Sequence, residues 1–267
     1  MPVSLPGPST VQRALIDRVT DDLGADPRVR GLWLTGSFGA GEADELSDVD
    51  MFVLVADSHL EAYVDGWLDD VAPRYQPLLA RRLGTASVFN HVLPGWLRWD
   101  VVIGGPAQLD DLDADRVGEL FSRDGVRLAP LQDLGPDRQR VLAMTEEFLR
   151  VLGLLPVVVG RGELVTATSG ALMLSQLLTT LLRHRAEGPR MSGALHLARV
   201  LPEHEMATLK ALPPVFAEEG AVLRAHLAVA ALFPPVARDL LGDDYPDALE
   251  AACWSHLAGR LGVERPA

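Results

Sequence analysis

At 267 residues the chain has room for one large domain or two modest ones, and a composition 48% hydrophobic excludes a disordered polar chain. The net charge of −13, with Lys210 the only lysine, argues against a nucleic acid partner, because gripping phosphate backbones takes clustered Lys and Arg. The single Cys253 rules out an intrachain disulfide and a cysteine zinc cluster, and no uninterrupted apolar run reaches the roughly 18–20 residues that span a bilayer.

In chain order, residues 1–8 carry neither the basic segment nor the apolar core of a signal peptide. Ser9-Thr10-Val11-Gln12 is a capping-box pattern, and Val11, Leu15, Ile16, Val19 and Leu23 then recur at helical spacing up to Gly24. Residues 31–35 read as a short buried strand, and Val49–Val55, apolar and β-branched, as a second. The pattern predicts a helix over 58–71 and strands over 87–93 and 97–103 about a Pro94-Gly95 turn. Residues 133–137 read as a linker. Beyond it, segments 138–155, 164–185, 193–200, 204–212 and two later ones repeat apolar residues at helical spacing. The expected class is α+β: a mixed sheet with flanking helices over 1–136, then an all-α helical bundle over 137–267.

The chemistry concentrates between the first two strands. Gly36 lets the backbone approach a phosphate group without a Cβ in the way, and the Ser37 hydroxyl with nearby N–H groups can receive triphosphate oxygens. Asp48 and Asp50 alternate on a strand, so both carboxylates project from one face while Val49 and Met51 turn to the core. Paired hard oxygen donors suit Mg²⁺, which takes few protein ligands and completes its shell with phosphate and water. Asp48 or Ser47 capping an ordinary acidic turn is the plainer alternative.

Gly36-Ser37, a short spacer, then Asp48-Val49-Asp50 on the next strand resembles the signature of the polymerase β-type nucleotidyltransferases. The resemblance implies a polymerase β-like nucleotidyltransferase domain, an NTP co-substrate (ATP the expected one) and one or two Mg²⁺ ions. It also implies a third carboxylate on a later strand. Asp100, an acid inside the apolar strand Leu97-Arg98-Trp99-Asp100-Val101, matches it, although the family commonly has Glu there. Asp100 then completes the metal site or acts as general base, the alternative being a salt bridge to Arg98 or another arginine. Gly36, Ser37, Ser47 and Arg161 are the implied nucleotide-binding residues, and Asp48, Asp50 and Asp100 the implied metal and catalytic set. Arg161 either clamps the triphosphate or lies in solvent past a helix end. Trp96 and Trp99 either stack on a bound molecule or pack in the core.

More narrowly, the chain resembles antibiotic nucleotidyltransferases, in particular lincosamide nucleotidyltransferases with a helical C-terminal domain. Asp70-Val71-Ala72-Pro73, the strand pair about Gly95, Arg161-Gly162-Glu163 and Leu174-Ser175-Gln176-Leu177 extend the likeness. It implies transfer of a nucleoside monophosphate to a hydroxyl of a small cationic antibiotic, a lincosamide first, and antibiotic resistance as the role. An aminoglycoside or another natural product is the alternative acceptor. The expected protein is cytoplasmic, free of membrane and nucleic acid, and monomeric or homodimeric. Two other classes compete. Arg190…His196 fits the spacing of HEPN ribonucleases that pair with nucleotidyltransferases in toxin–antitoxin systems, against which the acidity argues. A catalytically dead binding protein is opposed by the intact Gly-Ser and Asp-x-Asp.

Overall fold

The computed structural model describes residues 7–123, 125–130, 135–188 and 197–266. It divides into two compact units, Met1–Gln132 and Asp133–Ala267.

In the first unit, α1 (Thr10–Gly24) starts at the capping box: Ser9 Oγ accepts from the Gln12 N–H, and Gln12 Oε1 accepts from the Ser9 N–H. Its buried face is Gln12, Leu15, Ile16, Val19 and Leu23, while Val11 is 58% exposed. The periodicity therefore misplaces one position. Val11 lies a helical step off that face, and Gln12 goes inward because its amide finds partners there.

Six strands form one mixed sheet: β1 (Val29–Leu34), β2 (Val49–Val55), β3 (Leu79–Arg82), β4 (Val88–Leu93), β5 (Leu97–Gly104) and β6 (Gly118–Ser122). Their order is β3-β4-β5-β2-β1-β6, with β2 and β5 parallel and the other neighbours antiparallel. The two strands absent from the sequence reading are the edge strands β3 and β6, which are short and carry no buried run. The helix predicted over 58–71 forms as α3 (Asp57–Gly66). The chain then widens into a π turn, Trp67–Val71, and tightens into a 3-10 turn, Ala72–Tyr75, with Trp67, Val71 and Tyr75 buried.

The sheet has two unlike faces. On one, Val49, Met51, Val53 and Val55 of β2 pack with Leu15, Val19, Tyr63 and Trp67 in the main core of this unit. On the other, Trp33, Phe52 and Leu54 form a smaller cluster with Leu109, Leu112, Val117, Val126 and Leu128. Alternation puts Asp48 and Asp50 on this second face, ahead of the cluster.

The second unit is helical: α4 (Arg138–Leu152), α5 (Leu155–Gly160), α6 (Leu164–Glu187), α7 (Leu197–Val200), α8 (Glu203–Lys210), α9 (Glu219–Leu241) and α10 (Asp247–Leu261). The segment predicted as one helix over 138–155 breaks at Gly153, and Pro156 sits in the first turn of α5, where its missing N–H costs nothing. Pro234 and Pro235 lie inside α9. The start of the helix predicted over 193–200 and the Arg190…His196 pair lie outside the described residues. Phe148 stacks on Phe233 with centroids 4.0 Å apart, among Leu174, Leu178, Leu181, Val222 and Val229. By length and composition, Leu164–Glu187 and Glu219–Asp244 could each cross a membrane, which a search for uninterrupted apolar runs passes over. Within this unit they supply core residues to one another and to α4.

Candidate active site

The parallel register of β2 and β5 builds the site. It pairs Asp50 with Asp100 and Val49 with Trp99, so Asp48 comes level with Arg98. Ligand oxygens of Asp48, Asp50 and Asp100 lie within 4.8 Å of one another, and all three side chains are half-buried. Three hard oxygen donors converging from two adjacent strands fit one small divalent cation, and the rest of its shell is left to other ligands.

The electrostatics match that need. Burial, reinforced by Asp48 and then Asp100 and only partly opposed by Arg98, pushes the Asp50 carboxyl up to about 7. Burial also raises Asp100; a hydrogen bond from the Asn90 side chain opposes it, Asp48 adds to it, and Arg98 and Arg81 oppose it. Arg98, a candidate salt-bridge partner for Asp100, forms its ion pair with Asp48 at 3.4 Å. Asn90 and Arg81 had no signal in the sequence. Register alone puts them in the row Asp50, Asp100, Asn90, Arg81 across β2, β5, β4 and β3.

Gly36 and Ser37 open α2 (Gly36–Gly39), a single turn after β1. Gly36 has φ +56°, and a Cβ there would stand 2.2 Å from Asp50 Oδ2. The glycine thus answers two demands at once, a left-handed backbone and close approach to a carboxylate. The Thr35 N–H donates to the Asp50 carbonyl at 2.9 Å, tying the turn to β2. Ser37 is buried, and its hydroxyl has no hydrogen-bond partner among the described residues. Such a group is costly unless a ligand completes it.

The four remaining candidates, Ser47, Trp99, Trp96 and Arg161, are placed as follows. The Ser47 hydroxyl is engaged inside its own turn, accepting from the Asp44 N–H at 3.0 Å and donating to Asp44 Oδ1 at 3.3 Å. Trp99 is fully buried, edge-on to Tyr75 and 4.5 Å from the His91 ring. Trp96 is 76% exposed at the β4–β5 turn with φ +62°. Arg161 belongs to the second unit, exposed at the end of α5. The first unit brings together Asp48, Asp50, Asp100, Gly36 and Ser37 without it.

Residues 15–83 match the family model described as nucleotidyltransferase domain. The chain carries a nucleotidyltransferase domain. The match takes in Gly36, Ser37, Asp48 and Asp50 and ends before Asp100, and it places the protein among the transferases. No curated protein matches the chain. Among solved structures, an aminoglycoside 6-adenyltransferase from Bacillus subtilis is similar at 15% identity and TM-score 0.39, over 92% of this chain and 97% of that one. A nucleotidyltransferase-like protein from Exiguobacterium sibiricum 255-15 follows at 14% identity and TM-score 0.35, over 94% and 88%. A CdnC:HORMA-deltaN complex from E. coli MS115-1 gives 13% identity and TM-score 0.27, over 95% and 93%. The carboxylates lie on the same sheet face as the small Trp33–Phe52–Leu54 cluster, ahead of it along β2.

Proposed function

We propose that the protein transfers a nucleoside monophosphate from an NTP, ATP in the first instance, to a hydroxyl of a small cationic acceptor, releasing pyrophosphate. The observation that carries this reading is the convergence of Asp48, Asp50 and Asp100 beside the backbone of Gly36. Asp48 and Asp50 hold Mg²⁺, and Asp100 is either its third ligand or the base that takes the acceptor proton. Mg²⁺ held by these carboxylates would supply Lewis-acid stabilisation of the charge that develops on the leaving pyrophosphate. Ser37 Oγ, buried and without a partner among the described residues, donates to a triphosphate oxygen. Asn90 holds the Asp100 carboxylate in line, and Ser47 serves by closing the turn before Asp48.

In the transfer, the acceptor oxygen forms a bond to the α-phosphorus as the bond to pyrophosphate breaks, and the hydroxyl proton leaves to a base. Asp100 suits that task because burial raises its proton affinity. Sequence resemblance favours a lincosamide as acceptor. The net charge of −13 supports a second reading, a polycationic aminoglycoside drawn by the protein's field.

The test is a pyrophosphate-release screen of ATP, GTP, CTP and UTP against lincosamides and aminoglycosides, with mass spectrometry of any product. Asp48→Asn and Asp50→Asn should each lower turnover by on the order of 100-fold or more while the fold persists. Near-native turnover in either variant sinks the metal assignment. Asp100→Asn should depress kcat alone if Asp100 is the base, and nucleotide affinity as well if it holds metal.

A further inference from the structure

We infer that Gln12 is a positioning residue for Asp48, acting through the turn that leads into the carboxylate pair; this rests on the metal-dependent reading above. Gln12 is only 1% exposed, an unusual place for a side-chain amide in the first turn of a helix. Its Oε1 accepts from the Ser9 N–H. Its Nε2 donates twice, to the Ser47 carbonyl at 2.6 Å and to the Asp44 carbonyl at 3.1 Å. Both bonds reach more than thirty residues along the chain, onto the two ends of one turn.

The Ser47 carbonyl belongs to the same planar peptide unit as the Asp48 N–H, so holding that oxygen fixes the plane from which Asp48 begins. Within the turn, the Ser47 N–H donates to the Asp44 carbonyl at 3.1 Å. From the other side, Arg98 reaches the Leu46 carbonyl and the Asp48 carboxylate, each at 3.4 Å. Arg98 therefore meets the Asp48 side chain, and Gln12 the Ser47 carbonyl of the peptide unit that leads into Asp48. Only an amide can do what Gln12 does. A carboxylate of the same length has no donors for two carbonyls, and a methionine of similar shape has none either.

Stability alone would also explain a buried glutamine, so the test separates anchoring from capping. In the full-length protein, Mn²⁺ binding is followed by electron paramagnetic resonance with a non-hydrolysable ATP analogue, beside thermal unfolding. The unaltered protein should bind Mn²⁺, and Asp48→Asn should lose that binding. Gln12→Met should stay folded and bind Mn²⁺ about 10-fold more weakly, the scale of removing a group that orients a metal ligand. Ser9→Ala removes the cap's hydroxyl but leaves both Nε2 bonds, and should bind as the unaltered protein does. If Gln12→Met does not fold, Gln12→Asn, which keeps the amide but is too short for both carbonyls, takes its place with the same expectation. Affinity within about 2-fold of the unaltered protein overturns the inference, as does equal weakening by Ser9→Ala. Failure of the unaltered protein to bind Mn²⁺ is a different result, which removes the metal reading itself.

Discussion

Gly36 and Asp50 press against each other closely enough to make a prediction at the scale of single residues. In Gly36→Ala the new methyl would stand 2.2 Å from Asp50 Oδ2, so the carboxylate must swing away or the turn must shift. The left-handed backbone at this position adds about 1–2 kcal/mol of strain for any residue with a Cβ. Misplacing a reacting group by about 1 Å can cost on the order of 100-fold in rate, so steady-state kinetics should show a loss of that size. Thermal unfolding should move only modestly. Undiminished turnover in Gly36→Ala would mean that the Asp50 carboxylate need not occupy this position during transfer.

Between elements, the bond that matters most behind the site runs from the π turn to β4 and on to β5. The Trp67 indole N–H can only donate, and it donates to His91 Nε2 at 3.0 Å. His91 Nδ1 therefore carries the ring proton and donates to the Trp99 carbonyl at 2.9 Å, one residue before Asp100. His91→Leu fills similar space but leaves the Trp67 N–H buried without a partner, which should cost about 1–3 kcal/mol in chemical denaturation. Burial lowers the His91 proton affinity, with its bond to Trp99 opposing. A neutral ring favoured by the fold contributes stability that is complete above its ordinary pKa of 6.5 and is lost as pH falls below it. The acid side of the stability profile should accordingly flatten in His91→Leu. An unchanged acid limb would show that His91 titrates alike in the folded and unfolded chain.

Across the whole molecule, ionisable groups pull the pH profile in opposite directions. His184 and His226 in the second unit are shifted down by burial as His91 is in the first, so all three favour the fold at neutral pH. Asp50 has the reverse sign. Its carboxyl rises from 3.8 to about 7 in the fold, so its contribution is full below 3.8 and is lost as pH climbs through about 7. Without Mg²⁺ the melting temperature of the first unit should decline as pH climbs towards about 7 and level off above it, and Asp50→Asn should abolish that decline. Mg²⁺ with NTP, binding the native state alone, should offset it. Differential scanning calorimetry with and without Mg²⁺·NTP checks this, and a flat metal-free profile above about pH 5.5 would show that Asp50 keeps an ordinary carboxylate pKa. The chain divides into two compact units, so any separate transitions need to be resolved.

The Gly36-Ser37 and Asp48-x-Asp50 pattern, β2, β4, β5 and the long helices were legible in the sequence by itself. Each is written in local spacing, where covalent geometry decides which side chains share a face. Asp100 was legible in a weaker sense, as an acid inside an apolar strand, and resemblance rather than spacing brought it to the pair. Gln12, Asn90 and Arg81, and the fates of Ser47, Trp96 and Trp99, were settled only by tertiary structure. Asn90 stands beside Asp100 because β4 happens to pair with β5 in that register, and Gln12 reaches Ser47 across thirty-five residues of chain. Strand register and long-range hydrogen bonds depend on how distant segments pack, and no local periodicity records that choice.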